Sequence, residues 1–168
     1  MNKRAQAAME FLMTYGWAII IVLAAIGALA YFGVLSPQKL LPERTTFPAP
    51  LPNVDNAVIT VGGSVDVAFK NNKGVSINNF LNGTWTSTGS SACNSGILSN
   101  VLNTSGGLIN TATTPISNGD AFIVNWTCTP PSGVKVGDRF SADISFKYTN
   151  VDTGQILTET GSIQGKYS

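Results

Sequence analysis

Hydrophobic and polar positions divide this chain into two regimes. From Phe11 to Leu35 no residue carries a charge, and apolar side chains fall on every side of a helical projection. About 25 residues at ~1.5 Å each give roughly 37 Å of helix, enough to cross a ~30 Å hydrocarbon core. From about Val54 the period changes from 3.6 to 2. In residues 139–148, Phe140, Ala142, Ile144, Phe146 and Tyr148 alternate with Arg139, Ser141, Asp143, Ser145 and Lys147, which predicts a half-buried strand. Residues 150–154 read as a turn, with 155–167 as its hairpin partner. In 121–128, Phe122, Val124, Trp126 and Cys128 share one face, with Asn125 and Thr127 on the opposite, solvent side. In 64–69, Val65, Val67 and Phe69 point inward. Weaker strands are predicted at 57–61, 75–81 and 108–111.

The fold class expected is therefore α+β: a long apolar N-terminal helix, then an antiparallel β-sandwich of immunoglobulin-like type over residues 54–168. Between them, residues 36–53 contain Pro37, Pro42, Pro48, Pro50 and Pro52. That density of proline excludes a regular helix and predicts an extended linker, with Leu40, Leu41 and Phe47 available to a neighbouring subunit. The helix should end near Leu35.

Charge gives the helix a direction. Lys3 and Arg4 precede the apolar run, and the next charge after it is Lys39. The positive-inside rule then places the N-terminus in the cytoplasm and the rest of the chain outside. An ordinary secretory signal has an apolar stretch of ~7–15 residues and a small-residue cleavage site behind it. This run is longer and is followed by Ser36-Pro37. A plain membrane anchor remains the alternative. Glu10, at the start of the run, is the unusual residue: a carboxylate at a bilayer centre costs about 2.5–3.5 kcal/mol, and such groups usually have a partner. At the interface it would instead favour the positive end of the helix dipole.

The order Lys3-Arg4-Ala5-Gln6-Ala7-Ala8-Met9-Glu10 resembles the class III signal peptide of archaeal type IV pilins. In that family a membrane prepilin peptidase cuts ahead of the apolar run, before the Gln of a Gln-x-Ser-x-Glu pattern. Gln6 and Glu10 match, and Ala8 stands where the pattern has Ser. The resemblance implies that Lys3, Arg4, Ala5 and Gln6 direct processing, and that residues 1–5 are a cleaved leader. It implies that residues 6–35 span the membrane first and form the core of a filament afterwards. Loss of Lys3 and Arg4 would change the formal charge from +1 to −1, two positive side chains fewer. It implies that Glu10, then five residues into the mature chain, pairs with the new amine of Gln6 on an adjacent subunit, neutralising both and fixing the axial register. The partners implied are the chain itself as a helical homopolymer, the peptidase and the membrane. Ala24, Gly27, Ala28, Ala30 and Gly33 lie at i,i+3 and i,i+4 spacings that let helices approach closely.

The function expected is a structural pilus subunit for adhesion or surface attachment. The alternative is a minor pilin or a single-pass, membrane-anchored surface adhesin. Composition adds an external setting and removes most chemistry. The 168 residues contain no His, so the commonest general base and metal ligand is missing. No phosphate loop or Cys/His cluster occurs, and Asp55, Asp66, Asp120, Asp138, Asp143 and Asp152 are scattered at turns and strand edges. No enzyme activity, cofactor or metal is expected, and near-neutral charge gives no reason to expect nucleic acid. Cys93 and Cys128 would form one disulfide in an oxidising compartment, closing a loop of ~35 residues worth about 2–4 kcal/mol, or remain two buried thiols otherwise. Asn82, Asn103 and Asn125 each begin an Asn-x-Ser/Thr acceptor triplet, so each is a glycosylation candidate on an outward-facing domain.

Overall fold

A computed structural model describes residues 3–32, 42–89 and 91–168, with the backbone alone for residues 3–8 and Leu12. The chain forms two compact units, Met1–Leu41 and Pro42–Ser168. In the first, helix α1 runs over Lys3–Tyr31. Its Ala, Leu, Ile and Met residues favour helix, and its interior contains no proline. The helix starts inside the stretch read as a leader, and the expected end near Leu35 lies outside the described residues. Its described large side chains are exposed all round, for example Met13 at 81 % and Leu23 at 62 %.

Among its described residues the second unit contains eight strands: β1 (Arg44–Thr46), β2 (Val58–Ile59), β3 (Ser64–Lys70), β4 (Ile77–Ser87), β5 (Gly96–Asn103), β6 (Ala121–Cys128), β7 (Arg139–Asn150) and β8 (Ile156–Lys166). They form two four-stranded sheets, ordered β1-β8-β7-β4 and β2-β3-β6-β5, with every strand pair antiparallel. The class is therefore α+β, with one apolar N-terminal helix followed by two antiparallel sheets. Alternation builds the core. Val65, Val67 and Phe69 from β3, Phe122, Val124 and Trp126 from β6, and Phe140, Ala142, Ile144, Phe146 and Tyr148 from β7 join one buried cluster. Aromatic rings fill its centre, with Phe69 lying 5.2 Å from Phe146 and 5.7 Å from Phe122 between centroids. Such pairs add about 0.5–1.5 kcal/mol each beyond their burial.

Three elements depart from the sequence expectation. First, residues 42–53 of the proline-rich stretch belong to the β-unit. β1 pairs with β8 from Arg44↔Gln164 to Thr46↔Ser162, and the Asn53 side chain closes the following turn by accepting the Phe47 N–H and donating to the Thr45 carbonyl, both at 3.0 Å. Phe47, expected at a neighbouring subunit, is buried in its own core, as is Leu51. Leu40, Leu41 and the first part of the linker lie outside the described residues. Second, β5 was not expected, and β4 runs six residues beyond the predicted 75–81. Both strands contain register shifts, between Leu98 and Asn100 in β5 and at two places in β4, and each irregularity interrupts the period-2 signal. Third, residues 108–111 contribute only an isolated bridge, Leu102↔Leu108, before a turn at Asn110.

Cys93 and Cys128 are bonded, with Cα atoms 5.8 Å apart, so the alternative of two free thiols is set aside. Both sulfurs are buried, and Trp85 Nε1 donates to the Cys93 carbonyl at 2.9 Å. The loop carrying Cys93 thereby joins the core. The double substitution of Cys93 and Cys128 by Ala should cost about 2–4 kcal/mol, read as a lower urea midpoint that reductant does not lower further.

Candidate functional site

Two sets of residues can carry function: the start of α1 and the outer surface of the β-unit. At α1, the backbone of Lys3, Arg4, Ala5 and Gln6 is helical, while their side chains lie outside those described. Glu10 is exposed at the start of the apolar stretch. The Thr14 hydroxyl donates to the Glu10 carbonyl at 2.8 Å, satisfying itself within the helix. From Met13 to Tyr31 the helix has a mean hydropathy of 2.1 and none of the window is buried, so it has the length and composition of a membrane anchor or export signal. An added Cβ at Gly27 would meet nothing within 4 Å, which leaves the small-residue face open to a close partner.

On the β-unit the three acceptor triplets occupy different settings. Asn82 lies on β4 and its Oδ1 accepts the Leu98 N–H. Asn125 lies mid-strand on β6, half-buried rather than fully solvent-facing, because its amide joins Ser64 and Asp66 across to β3. Asn103 ends β5 and is exposed. Around Asn125, an open cleft of about 440 Å³ is lined by Val58, Asp66, Asn100, Leu102, Ile123 and Asn125. It offers a carboxylate and two amides beside aliphatic side chains.

Two of the scattered Asp residues act locally, whereas Asp66 is bonded across strands to Asn125. Asp120 accepts the Ser117 N–H at 3.2 Å and Asp138 the Lys135 N–H at 2.8 Å, each closing a turn. Among the described residues, no group of three His, Cys, Asp or Glu could hold a metal ion. Sequence reasoning missed four buried polar residues among those described: Thr45, Asn71, Glu159, and Ser145, which was expected on the polar face of β7. Asn71 is fully buried and donates to the carbonyls of Val75 and Ile116, tying two loops together. Glu159 is 4 % exposed on the inner face of β8, opposite Phe146 in register. Burial pushes its carboxyl up to about 7, and Lys73 pulls the other way. Lys73 Nζ sits 5.5 Å from the centre of the Tyr148 ring, whose hydroxyl is pushed up to about 12, first by burial and then by Glu159. Glu159 was legible in principle, because Leu157, Glu159, Gly161 and Ile163 share one period-2 face. No family model, curated protein or solved structure matches the chain.

Proposed function

We propose that this chain is the structural subunit of an extracellular filament of the archaeal type IV pilus kind. The observation that carries this reading is α1, whose apolar side chains are exposed all round and whose start bears Glu10. A helix apolar on every side needs lipid or other helices around it. Removal of residues 1–5 would retain the helix on the mature chain. Lipid would cover it before assembly and copies of itself afterwards, with Ala24, Gly27 and Ala28 allowing close approach. Glu10 would then meet the amine of Gln6 from a neighbour, so that neither charge stays alone in a dry core. The β-unit would face outward, and its disulfide fits an oxidising exterior.

The strand order also supports an immunoglobulin-like reading of the β-unit. With β1 set aside, one sheet runs first-second-fifth-fourth and the other third-sixth-seventh among the remaining strands. That is the ABED and CFG arrangement of the constant-type domain. The disulfide departs from that plan, since Cys93 lies in the loop between β4 and β5.

A second reading, a minor pilin or single-pass surface adhesin, draws on the cleft beside Asp66 and Asn125, which has the polar groups to hold a small partner. Glu10→Ala separates the two. Electron microscopy of cells carrying the variant should show no filaments, with the β-unit still reachable by antibody on intact cells. Filaments of normal number and length in the variant would overturn the polymer reading. N-terminal sequencing of surface material should begin at Gln6, and a retained Met1 would sink it.

A further inference from the structure

The three acceptor triplets differ in what their own side chains already do. Transfer of a glycan to asparagine needs two accessible groups: the carboxamide Nδ2, which is the nucleophile, and the hydroxyl two residues on, which the transferring enzyme recognises. At Asn125 both are engaged. Its Nδ2 donates to Ser64 Oγ at 2.8 Å and to the Asp66 carboxylate, and Thr127 Oγ1 lies 2.6 Å from Ser99 Oγ. Its strand is also central, held between β3 and β5. At Asn82 the hydroxyl is taken: Thr84 Oγ1 lies 2.9 Å from Ser145 Oγ, which also accepts the Thr84 N–H at 2.7 Å.

Asn103 is different. Its Oδ1 accepts the N–H groups of Ser105 at 3.0 Å and Gly107 at 2.7 Å, which holds the carboxamide in one orientation. Among the described residues, neither Asn103 Nδ2 nor Ser105 Oγ enters a hydrogen bond. Asn103, Thr104 and Ser105 are all exposed. Gly107 keeps the approach open, because a Cβ there would lie 3.0 Å from Nδ2.

We propose that Asn103 is the N-glycan acceptor of this chain and that Asn82 and Asn125 stay bare. The donor class is a lipid-linked oligosaccharide phosphate or pyrophosphate, used by a membrane transferase. Nδ2 attacks the anomeric carbon and the Nδ2–C1 bond forms. The C1–O bond to phosphate breaks, the lipid phosphate leaves with that electron pair, and the amide proton passes to a base of the transferase. The proposal rests on the reading that the β-unit is exported.

The test is glycopeptide mass spectrometry on the full chain taken from the surface of its own cells. Trypsin would leave all three triplets on one peptide, since no Lys or Arg occurs between Lys73 and Lys135. Chymotrypsin, cutting near Trp85 and Phe122, separates them. The expected result is an oligosaccharide mass on the Asn103 peptide alone. Asn103→Gln and Ser105→Ala should each remove the whole added mass, while Thr84→Ala and Thr127→Ala should leave it. A bare Asn103, or sugar on Asn82 or Asn125, overturns the proposal. Protease shaving of intact cells separates the two claims. A chain that is shaved but bare at Asn103 defeats this proposal alone. A chain that resists shaving, and whose mass carries no sugar, defeats the export reading and the glycan with it.

Discussion

Raising the pH from about 5 to about 8 should destabilise the β-unit by about 3 kcal/mol, and Glu159→Gln should abolish most of that loss. The carboxyl ordinarily titrates near 4.5 and is pushed up to about 7 in the folded chain, first by burial. Between those two values the unfolded chain has released its proton while the folded chain still holds it. Stability therefore falls as pH rises through this window and levels off above it. The cause is placement. Glu159 points inward from β8 among Phe146, Tyr148 and Leu157, where a charge is poorly solvated. Lys73 offsets part of the cost, so Lys73→Met should move the window to higher pH. Gln at position 159 keeps the shape and cannot ionise. Urea unfolding of the 42–168 fragment at pH 5, 6.5 and 8 reads the effect. A flat wild-type profile, or an equal slope in the variant, would refute it.

Phe47→Ala is expected to cost about 3–5 kcal/mol, the range for removing a buried Phe. An exposed linker residue would cost within about 0.5 kcal/mol. Phe47 is 4 % exposed, its ring centroid lies 4.8 Å from that of Phe69, and it packs directly over Gly161. Any Cβ at position 161 would collide with that ring. Gly161→Ala should therefore also destabilise, through overpacking rather than a cavity. The two effects should be less than additive, because shortening residue 47 makes room for the methyl group. Thermal melts of the single and double variants measure this. Wild-type stability in Phe47→Ala would return residues 42–53 to the role of a tether.

Legibility tracked regularity. Strands β3 and β6 were read correctly, with their inward residues, because each alternates without interruption over seven or more positions, and β7 departs only at Ser145, which is buried along with Ile144 and Phe146. β4 and β5 were blurred by register shifts, which exchange the two faces partway along the strand. β1 was hidden by its prolines. Only Arg44-Thr45-Thr46 pairs there, at the edge of its sheet, where neighbouring prolines remove no ladder hydrogen bond. The acceptor triplets were legible as text, yet Asn125 read as solvent-facing while its amide is engaged with β3.

Residue order alone was enough for the large division of this chain. A run of apolar residues must avoid water whatever follows it, and a period of 2 makes strands wherever one face can be covered. The charged and small residues around α1 also needed no coordinates to be noticed, because their meaning lies in spacing along one helix. Tertiary structure decided everything that depends on residues far apart in the chain meeting. It brought Cys93 to Cys128, placed Phe47 over Gly161, buried Glu159 near Lys73, and tied Thr84 to Ser145 and Thr127 to Ser99 while leaving Ser105 open. Those meetings follow from sheet register, which a local pattern does not specify once a bulge intervenes.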